Sequence, residues 1–90
     1  MVKLRLFSAL RDIAGAKEVV VEGDGLSIKE ALGKFADEYG EKARDTLFDK
    51  QGELLASVLL LVNGEAIAQG GATPVRSGDT IQVLLPTAGG

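Results

Sequence analysis

The chain has 90 residues, of which 46% are hydrophobic and 26% charged, a composition that fits one small globular domain and not a disordered chain. Ten basic and thirteen acidic residues give a formal net charge of −3, and the basic residues are scattered, so no nucleic-acid-binding stripe is expected. There is no cysteine and no histidine, which excludes disulfides, thiolate nucleophiles and most metal or acid–base sites, and no cofactor or metal is predicted.

The first half of the chain is predicted to contain two strands and one main helix. Residues 2–7 alternate between apolar and polar side chains, as a half-buried strand does, which also excludes a signal peptide and favours a cytoplasmic protein. Residues 8–16 are predicted to form a loop with one possible helical turn, and residues 17–22 a second strand. Ser27 and Glu30 have the spacing of a capping box, so an amphipathic helix of about three turns is predicted to begin there.

The second half is predicted to contain three strands joined by short turns. Residues 41–55 leave two interpretations open, a short hairpin or the end of a second helical turn. Asn63-Gly64 is a strong hairpin signal, because a type I′ turn needs positive φ at both central residues. Pro86 ends the last strand, since proline cannot donate to a β ladder. The three strands are predicted at residues 57–62, 65–68 and 80–85.

Alternation along the strands predicts which side chains lie outside the core. One set of aliphatic residues is expected to face the helix: Val2, Leu4, Leu6, Val58, Leu60, Val62, Ile81, Val83 and Leu85. Four large apolar side chains then emerge on the opposite face: Phe7, Leu59, Leu61 and Leu84. Apolar residues gathered on an exposed face usually mark an interface. We therefore predict a partner-binding surface at Phe7, Leu61 and Leu84, with cover by a loop or by residues 41–55 as the alternative.

Four short motifs, spread in order along nearly the whole chain, resemble one known family. They are Phe7-Ser8-Ala9-Leu10-Arg11-Asp12-Ile13-Ala14-Gly15, Val62-Asn63-Gly64-Glu65, Gly78-Asp79-Thr80-Ile81 and Leu85-Pro86-Thr87-Ala88-Gly89-Gly90. The pattern resembles the MoaD family of sulfur carriers, which form the small subunit of molybdopterin synthase. The resemblance implies an α+β, ubiquitin-like β-grasp fold, in which one mixed sheet packs on one main helix and the last strand lies parallel to the first. It also implies a domain at residues 1–85 and a C-terminal diglycine tail at residues 86–90.

The resemblance further implies a chemical role for the tail. An E1-like, MoeB-like activating enzyme would adenylate the Gly90 carboxylate with ATP and convert it to a thiocarboxylate, which gives its sulfur to a pterin in a MoaE-like large subunit. In that role the chain is a carrier and not an enzyme on its own. Gly89 and Gly90 have no Cβ atoms, so they can enter a narrow channel of a partner enzyme in backbone conformations that other residues rarely adopt. Residues 86–90 reach at most about 17 Å, and Pro86 is expected to stiffen the tail where it leaves the domain.

Other functions also fit the sequence. In the first interpretation the sulfur goes to a molybdenum or tungsten pterin, and in a second it goes to thiamine or tRNA. Pro86-Thr87-Ala88 is more similar to the carriers that serve molybdopterin synthesis. A third function is a protein modifier joined through Gly90 to lysines, and a fourth is a binding module with an idle tail. The chain has Leu85-Pro86 where family members often have two prolines, which leaves the tail freer. Arg11 and Asp12 are interpreted as surface residues, with a partner contact as the alternative.

Overall fold

The computed structural model describes residues 1–67 and 73–85. These residues form five strands and three helices. In chain order the elements are β1 (Val2–Leu6), α1 (Ser8–Ala14), β2 (Glu18–Val21), α2 (Ile28–Tyr39), α3 (Glu41–Leu47), β3 (Leu59–Val62), β4 (Glu65–Ala66) and β5 (Thr80–Leu84). No helix in the described part of the chain is long and apolar enough to cross a membrane.

The strands form one mixed sheet in the order β2-β1-β5-β3-β4. The first and last strands are neighbours and run parallel, with Leu4 opposite Ile81 and Leu6 opposite Val83, which confirms the expected arrangement. The other three pairings are antiparallel. The Asn63-Gly64 turn joins β3 to β4, and its φ values of 52° and 88° confirm the predicted type I′ geometry. A mixed sheet of this kind is the predicted β-grasp arrangement.

Helix α2 covers one face of the sheet and supplies much of the core. The predicted capping box is present: the Ser27 amide donates to Glu30 Oε1 at 3.0 Å, and the Glu30 amide donates to Ser27 Oγ at 3.1 Å. These hydrogen bonds hold the pKa of Glu30 below its ordinary value, the backbone amide of Ser27 being the largest cause. One side of the helix is almost completely buried, at Ile28, Ala31, Leu32, Phe35 and Ala36.

Two parts of the secondary-structure prediction were wrong or incomplete. Residues 8–16, predicted as a loop with one helical turn, contain the longer helix α1, which buries Leu10 and ends at Gly15 with a φ of 71°. Residues 41–55 contain both alternatives, since helix α3 is followed by a hairpin in which Phe48 pairs with Leu54. Both additions contribute to the core, which therefore contains side chains from one main helix and two short ones.

Several strand ends also differ from the prediction. Strand β3 begins at Leu59 and not at Ser57, and β4 is only two residues long. Residue 68, which was predicted to continue β4, lies outside the described residues. Strand β5 ends at Leu84, one residue earlier than predicted.

Candidate docking face at the end of the sheet

The central strands have one buried face and one open face, as the alternation predicted. Seven of the nine residues predicted to face the helix are buried: Val2, Leu4, Leu6, Val58, Leu60, Ile81 and Val83. Val62 and Leu85 are partly buried and pack against the same core. The side chains between them on β1, β3 and β5 therefore project from the face that α2 does not cover.

Three apolar residues form a row across the open face, which we call the apolar row: Phe7, Leu84 and Leu59. Leu84 is directly opposite Leu59 in the antiparallel β3–β5 pair. Phe7 follows Leu6, which is opposite Val83, and its extended backbone brings it beside Leu84. At the usual spacing of strands the row extends over about 10 Å. The sheet therefore presents a short apolar ridge where β5 ends.

The predicted partner-binding residues lie in or beside this row. Phe7 and Leu84 belong to it, and Leu61 is the next outward residue on β3, opposite Gln82. All three are partly buried, whereas Leu59 is 50% exposed. The structure thus brings the three residues together on one face, but Leu59 offers the largest exposed area. The alternation along the sequence already predicted that Leu59 faces outward. Only its greater exposure in the structure distinguishes it from Phe7, Leu61 and Leu84.

Residues 41–55 lie on the core side and do not form the alternative cover that the sequence allowed. Ala43, Leu47 and Phe48 belong to the buried core, and Leu54 and Leu55 pack against it. The Leu55 amide donates to the Leu47 carbonyl at 2.9 Å, which ties the end of this segment to α3. Its hydrophobic side chains are therefore used for folding and leave Leu59 exposed.

Next to the apolar row, the open face carries an ion-pair cluster on β1 and β2. Arg5 donates from Nε to Glu18 Oε2 at 3.0 Å, its Nη2 lies 2.9 Å from the same oxygen, and Lys3 Nζ lies 3.8 Å from Glu18 Oε1. Gln82 separates this ion-pair cluster from Leu61 in the same cross-strand line. The open face is thus mixed beyond the apolar row, since Val20, which lies opposite Lys3, is 56% exposed. Within residues 1–67 and 73–85, no group of three or more acidic, histidine or cysteine side chains could hold a metal.

Hydrogen bonds among Asn63, Arg76, Asp79 and Thr80, which we call the polar clip, fix the beginning of β5. Asn63 donates from Nδ2 to Asp79 Oδ1 at 3.0 Å and accepts the Thr80 amide on Oδ1 at 3.0 Å. The Arg76 amide donates to Asp79 Oδ2 at 2.9 Å. This amide, followed by the Asn63 side chain, holds the pKa of Asp79 below its ordinary value. The β3–β4 turn is thereby connected to the first residues of the strand that ends at Leu84.

The predicted tail residues follow directly after this strand. Leu85 is the last described residue and packs against the core. Pro86, Gly89 and Gly90, which were predicted as the tail exit and the working end, lie outside the described residues. Because Leu84 belongs to the apolar row, that row lies immediately beside the point from which the chain continues after Leu85.

Comparisons with known proteins agree with the fold and with the family resemblance. The model of the ThiS family matches residues 4–90. Small archaeal modifier protein 1 of Haloferax volcanii is 33% identical over 87 residues, which cover 96% of this chain and 97% of that protein. Its crystal structure superimposes with a TM-score of 0.79 at 29% identity and covers 99% of this chain and 98% of that chain.

Two further solved structures have the same fold. The crystal structure of the Amycolatopsis orientalis BexX/CysO complex contains a chain with a TM-score of 0.79 and 26% identity, with full coverage of both chains. A putative molybdopterin converting factor subunit 1 from Pyrococcus furiosus has a TM-score of 0.72 at 23% identity, covering 96% of this chain and 97% of that one. The sheet described above is therefore the ubiquitin-like β-grasp fold.

Proposed function

This chain belongs to the ThiS family of ubiquitin-like sulfur carriers and modifiers, and we propose on that basis that it carries sulfur on Gly90 for the synthesis of a molybdenum or tungsten pterin cofactor. The Gly90 carboxylate attacks the α-phosphorus of ATP on an E1-like activating enzyme, and pyrophosphate leaves. A sulfur nucleophile at the oxidation level of hydrosulfide then displaces AMP and leaves a thiocarboxylate. The chain supplies no catalytic group and acts as the small, non-catalytic subunit beside a MoaE-like partner.

The observation that carries this proposal is the position of the apolar row relative to the tail. Leu84, the middle residue of the row, ends β5, the strand that continues into Leu85, Pro86 and the diglycine. A partner that binds Phe7, Leu84 and Leu59 therefore holds the domain beside its own active site while the tail extends into it. Gly89 and Gly90 favour such entry, because residues without Cβ atoms adopt backbone conformations closed to others. Phe7, Leu61, Leu84 and Pro86 are the proposed partner-binding residues.

A second function, conjugation of Gly90 to lysines of other proteins, is favoured by a different observation. Small archaeal modifier protein 1 is 33% identical over nearly the whole chain, and its name describes a modifier. Both functions begin with the same adenylation, since a carboxylate must be activated before sulfur or an amine can displace AMP. They differ only in the nucleophile that attacks the acyl-adenylate.

Intact-mass spectrometry distinguishes these functions. The protein is incubated with ATP, a sulfur donor and the E1-like activating enzyme of the same organism, and is also isolated from its native cell. A mass gain equal to the exchange of one oxygen for sulfur supports the carrier, and a ladder of larger conjugates supports the modifier. If only the unmodified acid is recovered from both sources, both functions are wrong.

Deletion of Gly90 tests the role of the terminus directly. The deletion is expected to abolish sulfur transfer and to leave thermal unfolding unchanged, because the hydrophobic core is built from residues before the tail. Thr87→Ala serves as the matched control, since it changes the tail and keeps the diglycine. Transfer that persists after the deletion would contradict the mechanism.

A further inference from the structure

A cationic cleft lies beside the apolar row. Its volume is about 610 Å³, and it opens at the corner between β1, α1 and the beginning of β2. Phe7 belongs both to the cleft and to the apolar row, so the two features are continuous. The polar residues that line the cleft are Arg5, Arg11, Lys17, Glu18 and Gln82.

The charges in this cleft are not balanced. Arg5 places two nitrogens 2.9 and 3.0 Å from Glu18 Oε2, so the one carboxylate of the cleft already has its cation. Arg11 and Lys17 are exposed and form no ion pair with any residue in the described ranges. The cleft therefore carries two unpaired positive charges on a protein whose formal net charge is −3.

We propose that this cleft receives an acidic side chain, aspartate or glutamate, from the protein that docks on the apolar row. The inference rests on the proposed function, because it describes the partner of the same face. A partner that covers Phe7 also covers the mouth of the cleft and removes water from Arg11 and Lys17. Burying cations without partners is strongly unfavourable, so the covering surface must supply negative charge there.

The shape of the cleft favours a protein carboxylate over a free anion. The cleft is open, and its cations are exposed, so a small anion bound alone stays hydrated and gains little. A carboxylate carried by a docked partner is different, because the apolar row supplies the contact area and the partner excludes water from the ion pair. The apolar row and the cleft together give the interface one orientation, since the charged contact lies only on the α1 side of the row.

Charge reversal with a matched control tests the inference. The concentration of carrier that gives half-maximal ATP–pyrophosphate exchange is measured with the E1-like activating enzyme of the same organism, at low and at raised salt. Arg11→Glu and Lys17→Glu are compared with Lys50→Glu, which changes the net charge equally at an exposed turn between α3 and β3. Thermal unfolding of each variant confirms that the fold is retained.

We expect Arg11→Glu and Lys17→Glu each to raise the half-maximal concentration about tenfold at low salt, with a smaller effect as salt screens the contact. Lys50→Glu should stay within about twofold of the unchanged carrier, because its charge lies away from the interface. If all three variants behave alike at every salt concentration, the inference is wrong while the proposed function stands. Saturable binding of inorganic phosphate that competes with the enzyme would also overturn it. Absence of exchange with the unchanged carrier would refute the proposed function and this inference with it.

Discussion

Leu59 and Leu60 are consecutive residues with opposite surroundings, and truncating each to alanine separates docking from folding. Leu60 is 4% exposed in the core, whereas Leu59 is 50% exposed on the apolar row. Complete burial of a leucine side chain contributes about 1.5–3 kcal/mol. Folding has buried half of Leu59, so a partner that covers the rest gains about 1 kcal/mol, which corresponds to about fivefold in affinity. Leu59→Ala should therefore weaken docking about fivefold and lower the free energy of unfolding by less than about 1 kcal/mol.

Leu60→Ala should have the opposite profile. Removing a buried leucine side chain leaves a cavity and costs about 2–5 kcal/mol of stability. Urea denaturation gives the free energy of unfolding of both variants, and the half-maximal carrier concentration in ATP–pyrophosphate exchange gives their docking. The reasoning fails if Leu59→Ala docks as well as the unchanged protein. It also fails if the two substitutions destabilise the fold equally.

Four further predictions concern the fold and are checked by chemical or thermal denaturation. Gly33→Ala should stabilise the protein by about 0.5–1 kcal/mol, because Gly33 lies within α2 and an added Cβ meets nothing within 4 Å. Gly23→Ala should instead destabilise the protein by about 1–3 kcal/mol, since the added Cβ would lie 3.0 Å from Val2 Cγ2. A gain in stability would contradict this and show that the Val2 side chain can move away. Ser27→Ala removes the capping hydroxyl and should cost about 1 kcal/mol, and an unchanged denaturation midpoint would argue against the capping box. Asp79 has a lowered pKa in the folded state, so its contribution to stability is complete above its ordinary pKa of about 4 and is lost as pH falls through the lowered folded value. Asp79→Asn should therefore reduce the loss of stability in acid. A pH profile of stability identical to that of the unchanged protein would contradict this.

Helix α2 and the faces of the sheet could be predicted from the sequence because their signals are local. The Ser27–Glu30 spacing defines the beginning of α2 through two hydrogen bonds within four residues. Alternation along each strand assigns side chains to the two faces without knowledge of which strands are neighbours. The type I′ turn follows similarly from Asn63 and Gly64, since few residues tolerate positive φ.

The two short helices were predicted only as single helical turns among alternatives, because their stability comes from tertiary contacts. Each has seven residues, which is too short to be stable alone. Helix α1 buries only Leu10, and one buried side chain gives no periodic pattern. Gly40 ends α2 and begins α3 with a φ of 95°, so the glycine that signals a helix end also starts a new helix. The cationic cleft was missed for the same reason, because helix α1 brings Arg11 to the same cleft as Lys17.

The geometry of the candidate docking face depends on contacts at the opposite end of β5. A slip of one residue would exchange the faces of that strand and place Leu84 in the core and Val83 outside it. The polar clip opposes such a slip, since Asn63 binds both Asp79 and Thr80, and the Lys3 amide donates to the Asp79 carbonyl at 2.9 Å. From Thr80 the register of β5 is fixed as far as Leu84, and Leu85 is held by the core. A partner that recognised the apolar row, as we propose, would therefore meet the chain at a defined point after Leu85.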